Sequence, residues 1–411
     1  MPSQNRLRKY ATLAVSIGAH VQPGQMLVIN GQTETREFVR LCVEEAYKAG
    51  ASYVHVNWSD DQVAHTNYLN ASVEILEVVP AWVVAQFDSY MEKGAALLSV
   101  ASPTPGLLAD VEPSKLQRAN IGQRKALTKW QSFMMGNRTQ WSIVAVPTIA
   151  WARKVFPDLN DEAAVAALWE AIFNAVRVHE DNDPVQEWKE HNARLSAHNK
   201  ALNEFNFKTL HFENSLGTDL YVDLVENHIW AGGDEANTQG IRFNPNMPTE
   251  ESFSMPYKFG VQGKVVATKP LNYQGRLIDG FWLEFKDGKV VKYDALKEKD
   301  ALVNLLSVDE GSSYLGEVAL ISHDSPISNS GILFLNTLFD ENASCHLALG
   351  RAYPMNIKGG NDMTQEDLNA AGSNHSMEHQ DFMFGSADMQ IIGIQHDGKQ
   401  VVLFKHGNFV L

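Results

Sequence analysis

The chain has 411 residues, 44% apolar and 20% charged, with a formal net charge of -15. That composition belongs to a globular protein long enough for two cores, and the acidic balance, with no basic stripe, excludes nonspecific binding to nucleic acid or an anionic membrane. Cys42 and Cys345 lie far apart and outside any CxxC, which excludes a disulfide framework or cysteine-rich zinc site and implies a reducing, cytoplasmic setting.

Leu7, Tyr10, Ala11, Ala14 and Val15 are spaced as a helical stripe over residues 4–17. After the turn at Pro23-Gly24, the apolar run 26–29 reads as a strand buried on both faces. A helix over 33–48, with Thr33 as cap and Gly50 as stop, leads to a strand at 53–56. A helix over 73–91 interrupted at Pro80, a strand at 95–100, a helix over 115–134 and a strand at 141–146 continue the alternation. This order predicts a parallel sheet with helices on its faces. Helices over 161–178 and 185–205 follow. The second carries Trp188, Leu195 and Leu202 on one face, and His179, His191 and His198 are assigned to solvated surface. No run approaches the roughly 20 apolar residues of a membrane helix.

From Thr209 the apolar period becomes two. Strands are expected around 209–212 and 220–224, with a hairpin at Gly217-Thr218, then at 263–268, 276–278, 281–285 and 290–293. Asp287-Gly288 is a strong hairpin signal, and 391–395 with 401–405 form a last pair. The expected class is an α/β N-terminal domain with a parallel sheet, plus a mainly antiparallel α+β C-terminal catalytic domain. The boundary is placed near Asn206, giving domains 1–206 and 207–411.

The N-terminal half has no G-x-G-x-x-G or P-loop after any candidate strand. The C-terminal half carries clusters of hard oxygen and imidazole ligands: Glu250-Glu251 behind Pro248, Glu317, Glu341 with His346, and His379 with Asp381. Paired divalent ions about 3.5–4 Å apart need a bridging carboxylate and several terminal ligands, and Glu251, Glu317, Glu341, His346, His379 and Asp381 have that composition. On a strand, His379 and Asp381 share a face, and Phe382 and Phe384 are expected to wall the metals. Glu317 interrupts an otherwise apolar run, where a buried unpaired carboxylate costs several kcal/mol; a metal or a lysine would each supply a partner. The acids at 250–251 could equally open a helix. His375-Ser376-Met377-Glu378-His379 matches H-x-x-E-H, an alternative single-zinc motif that needs both histidines on one helix face.

Four segments carry a family resemblance: Asn246-Met247-Pro248-Thr249-Glu250-Glu251, Gly316-Glu317-Val318-Ala319-Leu320, Asp340-Glu341-Asn342-Ala343-Ser344-Cys345-His346 with Gly350 and Tyr353, and the stretch from Asn374 to Ser386. In this order they make the chain similar to the aminopeptidase T, aminopeptidase S and PepS family of dinuclear metallo-aminopeptidases. The resemblance implies two divalent ions per subunit (Zn, Co, Mn or Mg) at the six residues named, with Glu317 as bridge. It implies Glu250 as general base and Tyr353 at the metals. It also implies peptide substrates with a free N-terminus, and a homodimer. A protein that binds a cation or peptide without cleaving it is the non-enzymatic alternative.

Overall fold

The computed structural model describes residues 2–274 and 276–411. They form two compact units, residues 1–190 with 234–248 and residues 191–233 with 249–411. The change in apolar period at Thr209 does not mark these crossings.

In the first unit the alternating runs become a four-stranded parallel sheet, in the order Tyr53–Ser59, Met26–Gln32, Ala96–Ala101, Trp141–Ala145. Leu27, Ile29, Ala96, Leu98 and Val144 are buried, as strands covered on both faces require. The helix Gln4–Leu13 is capped by the Ser3 hydroxyl and relaxes into a wider turn at Ala14–Gly18. The interruption expected at Pro80 separates Val73–Leu76 from Ala81–Glu92. One helix, Asp61–Asn70, had no periodic signal because it buries none of its side chains; it starts on Asp60, whose carboxylate accepts from the N–H groups of Gln62 and Val63.

The second unit holds two large antiparallel sheets and a two-stranded hairpin, Leu271–Tyr273 with Arg276–Ile278. The larger has eight strands, in the order Lys289–Asp294, Trp282–Lys286, Pro256–Val266, Asp219–Leu224, Phe207–Glu213, Gln390–Gln395, Gln400–Lys405, Asn408–Phe409. The smaller runs His379–Met383, His346–Gly350, Leu315–Leu320, Ser252–Ser254. One core joins them: Phe212, Leu220, Val261, Phe281 and Leu283 pack with Leu315, Val318, Leu320, Leu347, Leu349, Phe382 and Phe384. Burying each such side chain is worth about 1.5–3 kcal/mol, so the small sheet is held rigidly by its apolar face and its other face is free for chemistry.

The alternation in Leu315–Leu320 is broken on purpose. Leu315 pairs with Leu349 but Glu317 pairs with Ala348, so Gly316 is an extra residue, a bulge. A side chain there would meet the carbonyl oxygens of Arg351 and Gly350 at 2.3 and 2.4 Å, so only glycine is accommodated. Beyond the bulge the phase is reversed. Leu315, Val318 and Leu320 all reach the core, and Glu317 is turned to the opposite face. Among the described residues no helix is long and apolar enough to cross a membrane.

Candidate metal centre

Strand register assembles the centre. Glu317 lies opposite Ala348, and Ala348 opposite Asp381. This row of three places two carboxylates on either side of a small methyl side chain. His346 is two residues before Ala348 and His379 two before Asp381, so both rings stand on the same face. Glu251 enters just before the edge strand Ser252–Ser254.

Two groups of ligand atoms result. In each, one atom per residue lies within 4.8 Å of the others: Glu251, Glu317 and His346, and Glu317, His379 and Asp381. Ligands about 2.0–2.2 Å from one ion lie within roughly 4.4 Å of each other, and the imidazole–carboxylate distances in both groups, 3.3 to 3.7 Å, fall inside that limit. Glu317 is common to both and offers a different oxygen to each ring: Oε1 is 3.3 Å from His346 Nε2, and Oε2 is 3.7 Å from His379 Nε2. His346 Nε2 is also 3.4 Å from Glu251 Oε2, and His379 Nε2 is 3.5 Å from Asp381 Oδ1. Glu341 stands outside both groups, in the turn Glu341–Ala343, yet close enough to feel the charges of Asp381, Glu251, His346 and Glu317.

Each ring is aimed by its other nitrogen. His346 Nδ1 is 2.9 Å from the Glu341 carbonyl oxygen, and His379 Nδ1 is 2.7 Å from that of Arg351. Nδ1–H donates in both cases, which presents Nε2 to the carboxylates, as metal-binding histidines require.

The electrostatics call for a cation. Four carboxylates, Glu251, Glu317, Glu341 and Asp381, face two imidazoles, so negative charge is in excess even with both rings protonated. Burial, then repulsion from Asp381 and Glu251, raises the Glu341 carboxyl well above its ordinary value. Burial opposes protonation of His346, but the Glu317 hydrogen bond and the charges of Glu251 and Asp381 overcome it and raise the ring to about 10. For His379, burial is likewise overcome by Asp381 and Glu317, and the value rises to about 9. Burial would raise Asp381, but His379 and His346 hold it below the usual carboxylate range. These protons occupy the place of a metal, and carboxylate–imidazole donors suit Zn, Co or Mn.

Tyr353 packs on His379 with ring centroids 4.6 Å apart, and burial, followed by the charges of Glu317 and Asp381, pushes its phenol up. Glu250 lies outside both ligand groups. Its backbone N–H donates to Asn342 Oδ1 at 2.8 Å, and its Oε2 is 3.7 Å from His191 Nε2. His191 donates from Nε2 to the Thr249 carbonyl at 2.8 Å. This ring is buried, not solvated as expected. The signal was present, because 188, 191, 195, 199 and 202 form one helical stripe and all five residues are buried.

Two further expectations are corrected. Phe382 and Phe384 do not wall the metals; both are fully buried in the core behind the sheet, against Phe281 and Phe212. Met383 shares the face of His379 and Asp381. The H-x-x-E-H segment is not helical: residues 373–378 are irregular, His375 is exposed, and only His379 enters a ligand group.

Residues 3–409 match the family described as thermophilic metalloprotease (M29). The chain is 46% identical over 406 residues to Aminopeptidase 2 of Geobacillus stearothermophilus, covering 99% of this chain and 98% of that protein. It is 46% identical over 404 residues to Aminopeptidase AmpS of Bacillus subtilis (strain 168), covering 98% of each. Wild-type AmpT from Thermus thermophilus superposes with a TM-score of 0.93 at 38% identity, over 99% of this chain and 100% of that one.

Proposed function

The chain belongs to the thermophilic metalloprotease family M29 and is a metallo-aminopeptidase, and from that premise we propose that it removes N-terminal residues from peptides with two divalent ions per subunit. Glu251, Glu317, Glu341, His346, His379 and Asp381 would hold them, within a catalytic region spanning 207–411. The observation that carries this reading is Glu317, whose two oxygens face two different histidines. Bound there, divalent ions supply Lewis acidity, which lowers the pKa of water and polarises the scissile carbonyl.

The protein's own groups do the rest. Glu250 takes the proton of the attacking water and returns it to the leaving amine. Asn342 and the buried His191 hold the corner that carries it. The Tyr353 phenol, kept protonated by burial and the surrounding acids, donates a hydrogen bond to the developing oxyanion. We assign the working protein to the cytoplasm, in keeping with its two free, buried cysteines. We also assign it a homodimeric state, for which exposed Ile75, Val78 and Trp82 offer apolar surface. Zinc or cobalt is the preferred ion for these donors.

Chelation is expected to abolish hydrolysis of an aminoacyl chromogenic amide, and add-back of zinc or cobalt to restore it. Lasting inactivity with every metal would support a non-catalytic binder.

Loading should also release protons. At pH 7.5 the raised His346 and His379 are protonated in the metal-free protein, whereas a ligating imidazole is neutral. We expect about two protons released per loaded centre, falling as pH rises through about 9 to 10. Because both values are raised, these rings stabilise the metal-free fold fully below pH 6.5, and that contribution is lost as pH climbs through the folded values. Calorimetry in buffers of different ionisation enthalpy reads the release; buffer-independent heats would contradict it.

A further inference from the structure

Beside the carboxylates lies a pocket of ≈ 60 Å³. On that measure one water needs about 10–15 Å³, so the space suits a side chain and is too small for a peptide segment. Its walls are Leu271, Leu277, Leu333, Leu335 and Met383, and its acidic end is formed by Asp340, Glu341 and Asp381. No Lys or Arg is among its lining residues.

One wall is built with care. Asp340 Oδ1 accepts from the N–H of Phe334 at 2.7 Å, and Oδ2 from that of Asn336 at 3.0 Å. Between these two anchors Leu335 sits in the left-handed region, at φ 56. Such a conformation in leucine persists only where its surroundings impose it, and such residues cluster at ligand sites. The two Asp340 bonds impose it here, and Leu335 lines the pocket together with Glu341.

Resting on the aminopeptidase reading above, we infer that this pocket receives the side chain of the substrate's N-terminal residue and selects uncharged aliphatic and thioether side chains, leucine and methionine. The side chain of the N-terminal residue branches one bond from the scissile carbonyl carbon. A pocket that shares Glu341 and Asp381 with the metal centre adjoins the place where that carbonyl would be held. Anionic side chains meet three acids, and the nearby Lys269 is drawn to Asp340 and does not line the pocket. Cationic side chains compete for Asp340 with two backbone N–H groups and with Lys269, while Glu341 and Asp381 would be engaged by metal. Asn336 Nδ2, buried with no hydrogen-bond partner among the described residues, adds one neutral donor that a methionine sulfur can weakly satisfy.

Leu277, partly exposed on its hairpin, is the place to test this without disturbing the core. The metal-loaded wild type, L277K and L277W are compared by kcat/KM on X-Ala dipeptides (X = Ala, Leu, Met, Glu, Lys) and on the Ala-X series. In the wild type, Leu and Met should exceed Glu and Lys by at least tenfold. L277K should shrink the Leu-to-Glu ratio at least tenfold, and L277W should lower Leu and Met relative to Ala by a similar factor, with the Ala-X order unchanged in both. A wild-type preference for Lys, shifts confined to the Ala-X series, or ratios that move in neither series would each overturn the inference while leaving aminopeptidase action intact. A wild type inert toward every dipeptide with every metal would remove the hydrolytic reading itself.

Discussion

Glu250→Gln is expected to lower kcat by about 10²–10⁴-fold, the range contributed by a positioned acid–base group, while metal content stays near that of the wild type. Glu250 and Glu251 are neighbours with different surroundings. Glu251 Oε2 is 3.4 Å from His346 and belongs to a ligand group; Glu250 belongs to neither, and its carboxylate is turned toward His191. Glutamine preserves the shape and removes the ability to take a proton. Kinetics paired with metal analysis decide the matter. Activity within tenfold of wild type would dismiss Glu250 as the base, and lost metal with Glu250→Gln but not with Glu251→Gln would exchange the two roles.

Glu317→Gln should have an equally large effect through a different route. It removes the one carboxylate common to both ligand groups, so the metal content is expected to fall to one ion or fewer per subunit, and activity with it. The stability readout has two parts. In the metal-free protein the variant loses the carboxylate that helps hold the His346 and His379 protons, so it should melt at or below the wild-type temperature. With metal at a hundred times Kd, the wild type gains about 2.7 kcal/mol, roughly 2–4 °C for each kcal/mol in a unit of this size, and the variant gains little. Thermal unfolding with and without metal should therefore show the gap between the two proteins widening when metal is added. Two bound ions and retained turnover in Glu317→Gln would eliminate the bridging role.

Much of this was legible before any coordinates because the local signals agreed with the tertiary fold. Buried parallel strands such as Met26–Gln32 announce themselves as apolar runs, and the Asp287-Gly288 turn joins Trp282–Lys286 to Lys289–Asp294 as expected. The structure brings Glu251, Glu317, His346, His379 and Asp381 together, and Glu341 close beside them. What stayed hidden depended on contacts distant in sequence. His191 could be read from its helix stripe, but its approach to Thr249 and Glu250 could not. Phe382 and Phe384 were misplaced because alternation says which residues share a face, not which face meets the core. The pocket at Leu333 and Leu335 depends on two backbone bonds to Asp340, and no periodic pattern encodes those.

The bulge at Gly316 gives the centre a reading frame. Substituting one ligand changes one ligand. Were the bulge ironed out with every residue kept, Gly316 would take the place opposite Ala348, sending Glu317 into the apolar core and Val318 out toward the histidines. Only glycine accommodates the extra residue here, so a side chain at 316 threatens the frame of the whole centre.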